Sequence, residues 1–206
     1  MATAFPSSEH IADSFVFRAA LRRDKLAARM ALDKKAHATL SARIETHLAA
    51  FLTALPPQTL SFCAPIRGEF DARPLASFLL ELGWQASMPI TGAAQAPMSF
   101  RIWTPSSVME IDRHGIPIPA TGQATVPSVV LLPLVAFDSQ GFRLGYGGGY
   151  FDRTLAALVP RPLSIGVGFE LARTADVRPQ AHDIPLDAVV TETGTMRHFH
   201  DQFRHP

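Results

Sequence analysis

The chain has a single cysteine, no long apolar run and almost no net charge, and each shortage excludes something. One cysteine, Cys63, cannot form a disulfide within the chain, and its apolar surroundings favour a buried thiol over a nucleophile. No apolar run is long enough to cross a membrane. A net charge of +1 gives no overall attraction to nucleic acid or to an anionic membrane surface. We therefore expect a cytoplasmic enzyme or binding domain.

The length and composition predict one folded domain. Hydrophobic residues make up 47 % of the 206 residues, which is enough to build a sizeable core and excludes general disorder. We expect a single domain over residues 1–206, with a folded core at about 14–193 and flexible ends that include a loose leader over 1–12. His198, His200 and His205 in the tail could bind a metal, although a frayed end is the simpler interpretation.

The hydrophobic pattern alternates between helices and strands. The first predicted elements are a basic helix over 14–30, a helix from an Asp33 cap to Leu55, a strand at Leu60–Ile66, a helix from an Asp71 cap to Gly83 and a strand at Gln85–Ile90. The later ones are a strand at Ser99–Trp103, a proline-rich loop over 104–127, and strands at Val129–Val135, Ser164–Glu170 and Ala188–Thr191. A strand, helix and strand in succession favour a parallel sheet, whose ligands gather at the carboxyl ends of the strands.

The most informative stretch is a glycine-rich loop between the strand at Val129–Val135 and a short helix. Five of the thirteen glycines lie between Gly141 and Gly149. Backbone N–H groups in such a loop can approach a ligand closely, and the following helix N-terminus favours an anion. The loop is neither a Walker A sequence nor a usual dinucleotide fingerprint. It predicts a phosphate site, and a tight turn without a ligand stays open as the alternative.

Charged residues around this loop support the phosphate interpretation. Arg143 offers a fork of donors that suits phosphate oxygens, and Tyr150 offers a hydroxyl group. Asp152 falls in the first helical turn, where it could either match the helix dipole or hold a divalent cation against a polyphosphate. Asp183 could join Asp152 in holding Mg²⁺, or it could be a turn residue.

Two further features lie away from the loop. Arg18, Arg22, Lys25 and Arg29 share one face of the first helix, either as a solvated surface or as an anion site. Glu69 follows the end of a strand, where it could pair with Arg67 or accept N–H donors from a flat heterocycle.

The segment RLGYGGGYFD at 143–152, with PLVAFD at 133–138 before it, resembles the signature of the 5-formyltetrahydrofolate cyclo-ligase family, also called methenyltetrahydrofolate synthetases. The resemblance extends from the basic first helix to about Thr193. It implies a three-layer α/β sandwich with a mostly parallel central sheet, similar to ribose-phosphate isomerases and CoA transferases. It also implies conversion of 5-formyltetrahydrofolate to 5,10-methenyltetrahydrofolate with release of ADP and phosphate. ATP and Mg²⁺ are the implied cofactors, the expected partners are small molecules alone, and a monomer is expected.

The resemblance also implies roles for individual residues. The implied catalytic residues are Arg143 and Tyr150. The implied nucleotide-binding residues are Arg18, Arg22, Arg143, Leu144, Gly145, Tyr146, Gly147, Gly148, Gly149, Tyr150 and Phe151. The implied folate-binding residues are Ala64, Glu69, Tyr146, Gly147, Gly148, Gly149 and Tyr150, and the implied metal ligands are Asp152 and Asp183.

Three positions depart from the family pattern. Arg18 stands where the family has lysine, Gly148 where some members have lysine, and Ile118 where glutamate is frequent. The positive charge absent at Gly148 must therefore come from another residue. The alternatives to the cyclo-ligase are a nucleotide- or folate-binding regulatory protein without turnover, and a sugar-phosphate isomerase that needs no ATP.

Overall fold

A computed structural model describes the backbone of residues 8–197 and the side chains of residues 13–197. The helices are α1 Ser8–Met30, α2 Lys34–Thr53, α3 Arg73–Glu81 and α4 Tyr150–Ala157, with a 3-10 turn at Glu170–Ala172. The strands are β1 Thr59–Ser61, β2 Gln85–Ile90, β3 Ser99–Trp103, β4 Met109–Ile111, β5 Pro117–Pro119, β6 Ala124–Thr125, β7 Val129–Pro133, β8 Ala136–Phe137, β9 Arg143–Leu144, β10 Leu163–Val167, β11 Ala188–Thr191 and β12 Gly194–Arg197. Within this described part of the chain, no helix is long and apolar enough to span a membrane.

One large sheet organises the molecule. Its eight strands run in the order β12-β11-β10-β7-β1-β2-β3-β6. The five central strands, β11 to β2, are parallel, and the antiparallel strands lie towards the two edges. The predicted α/β fold with a mostly parallel central sheet is confirmed.

Side chains at alternating positions of the central strands pack into two separate hydrophobic cores, one on each face of the sheet. The molecule therefore has three layers, with the sheet in the middle. Val129 and Leu131 of β7 pack in the cluster that includes residues of α2 and α3. Val130 and Leu132 point to the other face, where they pack in the cluster that contains Leu155 of α4. Such continuous apolar strands are typical of a parallel sheet covered on both faces. Burying each of these side chains stabilises the fold by about 1.5–3 kcal/mol.

The first two helices follow the predicted pattern with one correction. Helix α1 begins at Ser8, so the loose leader predicted over 1–12 is wrong for residues 8–12, and residues 1–7 lie outside the described part. Asp33 caps α2 as predicted, since its Oδ1 accepts a hydrogen bond from the Ala36 N–H at 2.7 Å. Asp71 is not the cap of α3: it lies one residue before the N-cap position, Ala72.

Three predicted strands extend further than the observed ones, and the strand predicted at Val129–Val135 is one of them, since β7 ends at Pro133. Strand β1 ends at Ser61, the Phe62 N–H still donates to the Ser87 carbonyl of β2 at 3.1 Å, and Pro65 further along has no N–H group with which to resume the ladder. Strand β10 ends at Val167, and the Glu170 N–H that follows is bound by the Glu192 carboxylate at 2.9 Å instead of by a neighbouring strand.

Several short strands were not predicted. The predicted loop over 104–127 contains the antiparallel hairpin of β4 and β5 and the edge strand β6. Prolines occupy both ends of β5, which a two-stranded ribbon tolerates because both of its strands are edges. The antiparallel pair β8 and β9 lies directly before the glycines, and β12 extends the sheet beyond Thr193. The predicted histidine tail falls within 198–206, outside the described residues.

Candidate functional site

A cavity of about 740 Å³ lies at the carboxyl ends of the parallel strands. The carboxyl ends of β2 and β7 and the segment after β1 line it, together with α1, the glycine loop, the β4–β5 hairpin and the loop at 180–183. This is the edge at which parallel α/β sheets bind their ligands. The predicted site residues that line the cavity are Arg18, Arg22, Ala64, Glu69, Arg143, Gly145, Tyr146, Gly147, Gly148, Gly149, Tyr150, Phe151, Asp152 and Asp183. Leu144 is fully buried in the β8–β9 pair and does not line the cavity.

The glycine loop needs glycine at two positions for conformation and at a third for space. Gly147 and Gly149 have φ values of 97° and 63°, in the left-handed region that glycine adopts at little cost. A Cβ atom on Gly148 would lie 2.8 Å from the ring of Tyr150. Gly149 is the N-cap residue of α4 and provides no side-chain cap. The loop therefore presents backbone and an uncapped helix N-terminus to the cavity, which is an arrangement that favours an anion.

The basic face of α1 packs against the body of the protein and brings Arg18 and Arg22 to the cavity, so the interpretation of it as a solvated surface is wrong. Arg18 and Arg29 are almost fully buried. The Nε of Arg22 donates to the Gly145 carbonyl at 2.9 Å, and the Nζ of Lys25 donates to the Leu171 carbonyl at 2.7 Å. Burial and the nearby guanidinium of Arg18 lower the pKa of Arg22. An anionic ligand in the cavity would relieve this concentration of positive charge.

Arg143 is buried beneath the glycine loop and paired with Asp152. Its Nη2 donates to Asp152 Oδ1 at 3.0 Å and its Nη1 donates to the Ile184 carbonyl at 2.8 Å. Burial lowers the pKa of Arg143, and the carboxylate of Asp152 opposes that effect. The same Oδ1 accepts the Ile184 N–H at 3.1 Å. Asp152 is thus more than a dipole-matched helix start, because it joins the glycine loop to the loop at 180–184.

Asp183 is paired with Arg18. Its Oδ2 accepts from Arg18 Nη1 at 2.5 Å and from the Gln180 N–H at 2.8 Å, while its Oδ1 lies 3.3 Å from Arg18 Nη2. The two predicted metal ligands therefore each face a guanidinium. Over residues 13–197, no group of three or more His, Cys, Asp or Glu side chains is arranged to hold a metal ion.

Mg²⁺ needs only one or two protein carboxylates when phosphates and waters complete its coordination, so the two aspartates can be tested as such a pair. Asp152 fits: the hydrogen bonds it accepts from described residues all fall on Oδ1, and its side chain is 18 % exposed. Asp183 is less suited to bind Mg²⁺, because both of its carboxylate oxygens already accept hydrogen bonds from Arg18 and its side chain is 7 % exposed.

Glu69 also lines the cavity and belongs to a buried network with Tyr146 and Arg29. The Tyr146 hydroxyl donates to Glu69 Oε1 at 2.6 Å and accepts from Arg29 Nη2 at 2.7 Å. Glu69 Oε2 accepts the Ile66 N–H at 2.9 Å. The predicted alternative, a pair with Arg67, is not the observed arrangement, since the ion pair formed by Glu69 is with Arg29, at 3.7 Å.

Burial governs the titration of this network. It raises the pKa of Glu69, and the hydrogen bonds from Tyr146 and the Ile66 N–H and the charge of Arg29 offset only part of that effect. Burial and the neighbouring Glu69 also raise the pKa of the Tyr146 hydroxyl. Cys63, which lines the same wall, has its thiol pKa raised by burial, and this makes it a poor nucleophile at neutral pH.

Sequence reasoning missed the residues that the β4–β5 hairpin brings to the cavity. Asp112 and His114 line it, and both His114 and Arg113 contact the Tyr150 hydroxyl, at 3.1 and 2.9 Å. The hairpin was predicted as an irregular loop, so its turn was not placed near the glycines. Its length and its glycine were the signals available, because long loops in compact domains often carry function.

Comparison with known proteins gives one consistent result. The profile of the 5-formyltetrahydrofolate cyclo-ligase family matches residues 16–192. The 5-formyltetrahydrofolate cyclo-ligase of Escherichia coli K12 is 28 % identical over 170 residues, covering 79 % of this chain and 93 % of that protein. The NMR structure of Aquifex aeolicus 5,10-methenyltetrahydrofolate synthetase matches with a TM-score of 0.73 at 27 % identity, over 92 % of this chain and 94 % of that one. The synthetase of Mycoplasma pneumoniae matches with a TM-score of 0.69 at 26 % identity, over 85 % and 98 % of the two chains.

Proposed function

The chain belongs to the 5-formyltetrahydrofolate cyclo-ligase family, and from that premise we propose that it converts 5-formyltetrahydrofolate to 5,10-methenyltetrahydrofolate with consumption of MgATP. The observation that carries this proposal is the common cavity: the glycine loop with its guanidinium groups and the Glu69–Tyr146 network open onto the same space. An anionic nucleotide and a flat heterocycle can therefore meet there.

The chemistry requires activation of the formyl group. A formamide carbon is a poor electrophile and its oxygen is a poor leaving group. Transfer of the γ-phosphoryl group to the formyl oxygen breaks the bond to ADP and forms a phosphate ester of the formyl group. N10 then attacks the formyl carbon and loses its proton, and phosphate departs with the former formyl oxygen. Such a transfer needs positioning and charge neutralisation more than a nucleophilic side chain.

The nucleotide half of the site would use the glycine loop and the arginines. Arg22 is half-buried, bound to the loop carbonyl of Gly145, and has no carboxylate partner among the ion pairs of residues 13–197. We assign it to the phosphate chain, with Arg18 beside it. The N-terminal N–H groups of α4 and the buried Arg143 would face the transferred phosphoryl group, and Tyr150 would offer it a hydroxyl donor.

The folate half of the site would use Glu69. Its carboxylate is held in place by the Ile66 N–H and Tyr146, and it is flanked by Ala64 on the cavity wall. A carboxylate fixed in this way can accept two parallel N–H donors from a pterin edge. Tyr146 then acts as a link, because it lies in the glycine loop and bonds the folate-facing glutamate.

A magnesium ion would be held by Asp152, with Asp183 as the second carboxylate once Arg18 has turned to a phosphate oxygen. When bound, Mg²⁺ would neutralise charge on the phosphate chain. In this proposal Arg18 and Asp183 exchange partners when the nucleotide enters, since each finds an opposite charge in the ligand. The monomeric state and the cytoplasmic location stay predictions.

The test is incubation of the purified protein with 5-formyltetrahydrofolate, with and without ATP, followed by mass spectrometry for a product lighter by one water. We expect product only when both ATP and Mg²⁺ are present, with ADP formed in equal amount. A regulatory binding protein would give no product under any condition, and an isomerase would not consume ATP. Either result would contradict the proposal.

A further inference from the structure

Hydrogen bonds hold the turn of the β4–β5 hairpin at the wall of the cavity. Asp112 accepts hydrogen bonds from the N–H groups of His114 and Ile116, at 2.8 and 2.9 Å, and from the Thr91 hydroxyl, at 3.0 Å, just after β2. Gly115 completes the turn with a φ of 77°. These hydrogen bonds therefore define the position of the residue between Asp112 and His114.

That residue, Arg113, meets the first residue of α4. Its Nη2 donates to the Tyr150 hydroxyl at 2.9 Å and its Nε donates to His114 Nε2 at 3.2 Å. A guanidinium group can only donate, so His114 Nε2 is an acceptor without a proton. The Tyr150 hydroxyl accepts from Arg113 and also lies 3.1 Å from this His114 nitrogen. The three side chains therefore form one cluster of hydrogen-bonding contacts.

Arg113 brings a positive charge to this place without a carboxylate to balance it. The neighbouring carboxylate of Asp112 is already engaged, because its Oδ1 accepts from the backbone of the turn and its Oδ2 accepts from the Thr91 hydroxyl. None of the ion pairs among residues 13–197 includes Arg113. Its side chain is exposed. Arg153 also lies near the ring of Tyr150, but it donates to the Gly148 carbonyl at 2.7 Å and thereby holds the loop itself. Arg113, unlike Arg153, donates to no backbone atom of the glycine loop in the hydrogen bonds of the described residues, so it can change partners without disturbing the loop.

We propose that Arg113 is a phosphate-binding residue of this site. It exchanges its bond to the Tyr150 hydroxyl for an oxygen of the nucleotide's phosphate chain when that chain lies on the glycine loop. This rests on the proposed function, since the anion is the β,γ-phosphate portion of ATP. The exchange replaces a neutral acceptor by a charged one, and bonds between charged partners are roughly twice as strong. The hairpin thereby supplies, from a different element, a positive charge beside Tyr150 at the start of α4.

The competing explanation is that Arg113 only positions the Tyr150 hydroxyl. A double-mutant cycle of Arg113→Ala and Tyr150→Phe separates the two, with dissociation constants measured by calorimetry for a non-hydrolysable ATP analogue, for AMP and for 5-formyltetrahydrofolate. The matched control is Arg43→Ala, an exposed arginine of α2. Because Arg113 is exposed, we expect its variant to fold with an unchanged melting temperature.

If Arg113 binds the phosphate chain, Arg113→Ala weakens binding of the ATP analogue by about tenfold or more, in both the parent and the Tyr150→Phe background. AMP and 5-formyltetrahydrofolate keep their affinities, as does every ligand with the Arg43 control. The proposal is overturned if Arg113→Ala has no effect on the ATP analogue, has no further effect once Tyr150 is Phe, or weakens AMP and folate equally. A parent protein that binds no ATP analogue would instead refute the proposed function, and this inference with it.

Discussion

Replacing Asp152 by asparagine tests whether this carboxylate serves the fold, the chemistry or both. If the only role of Asp152 were to stabilise the first turn of α4, replacing it by asparagine would lower the free energy of unfolding by less than about 1 kcal/mol. The structure adds a second role, because Asp152 is the ion-pair partner of Arg143, whose side chain is 5 % exposed. Removing one partner of a buried ion pair costs about 3–5 kcal/mol.

We expect a smaller loss of roughly 2 kcal/mol, since Asp152 is 18 % exposed, the Ile184 carbonyl still binds Arg143, and asparagine keeps an acceptor oxygen. For a chain of this size that corresponds to a fall of about 4–8 °C in melting temperature. The effect on catalysis should be larger, because the charge of Asp152 would help to neutralise the transferred phosphoryl group. Losing about 3 kcal/mol of transition-state stabilisation slows kcat roughly a hundredfold or more. Excess Mg²⁺ should restore only part of it.

The assay compares kcat and melting temperature for the parent, Asp152→Asn and Asp187→Asn. The last variant is the control, because Asp187 pairs with Arg161 and Ser164 and does not line the cavity. We expect both variants to lose stability and only the first to lose turnover in large measure. The reasoning is refuted if Asp152→Asn, measured below its melting transition, keeps near-parental kcat or behaves like the control.

Three further outcomes follow from the same geometry. Arg22→Ala should weaken ATP binding about tenfold or more and leave 5-formyltetrahydrofolate binding nearly intact; equal losses for both ligands, measured by calorimetry, would remove Arg22 from the phosphate site. Glu69→Gln should raise the KM for 5-formyltetrahydrofolate at constant ATP affinity, and a change in thermal stability alone would make Glu69 structural. Burial raises the pKa of Glu69 in the folded protein. We therefore compare the free energy of unfolding of the parent with that of Glu69→Gln. The difference, parent minus variant, should be highest at a pH below the ordinary pKa range of a carboxyl group, and it should fall as the pH rises through the raised pKa. Urea unfolding from roughly pH 4 to pH 8 measures this, and a difference that grows with pH would contradict it.

The central sheet and the glycine loop were predictable because local signals there agree with the tertiary structure. The apolar run that begins at Val129 and the capping aspartate Asp33 mark where β7 and α2 begin, because both starts depend on neighbouring residues. The glycines at 147 and 149 mark positive backbone angles in the same way. Glu69 and the glycine loop were both predicted to follow strand ends, and ligands of a parallel sheet bind at that edge. Their presence in one cavity could therefore be expected.

The parts that could not be predicted depend on partners far along the chain. Whether the basic face of α1 is solvated depends on residues such as Asp183, 165 positions after Arg18. The β4–β5 hairpin has little hydrophobic periodicity, since all three residues of β4 are exposed and β5 begins and ends with proline. Its register follows from pairing and from the turn fixed by Asp112, and only the structure shows that this turn reaches Tyr150.

Isotope transfer shows whether the formyl oxygen is phosphorylated before ring closure. 5-Formyltetrahydrofolate labelled with heavy oxygen in the formyl group is incubated with the parent protein, ATP and Mg²⁺, and the released phosphate is examined by mass spectrometry. We expect one labelled oxygen in the phosphate for each molecule of methenyl product. Unlabelled phosphate together with labelled water would contradict it.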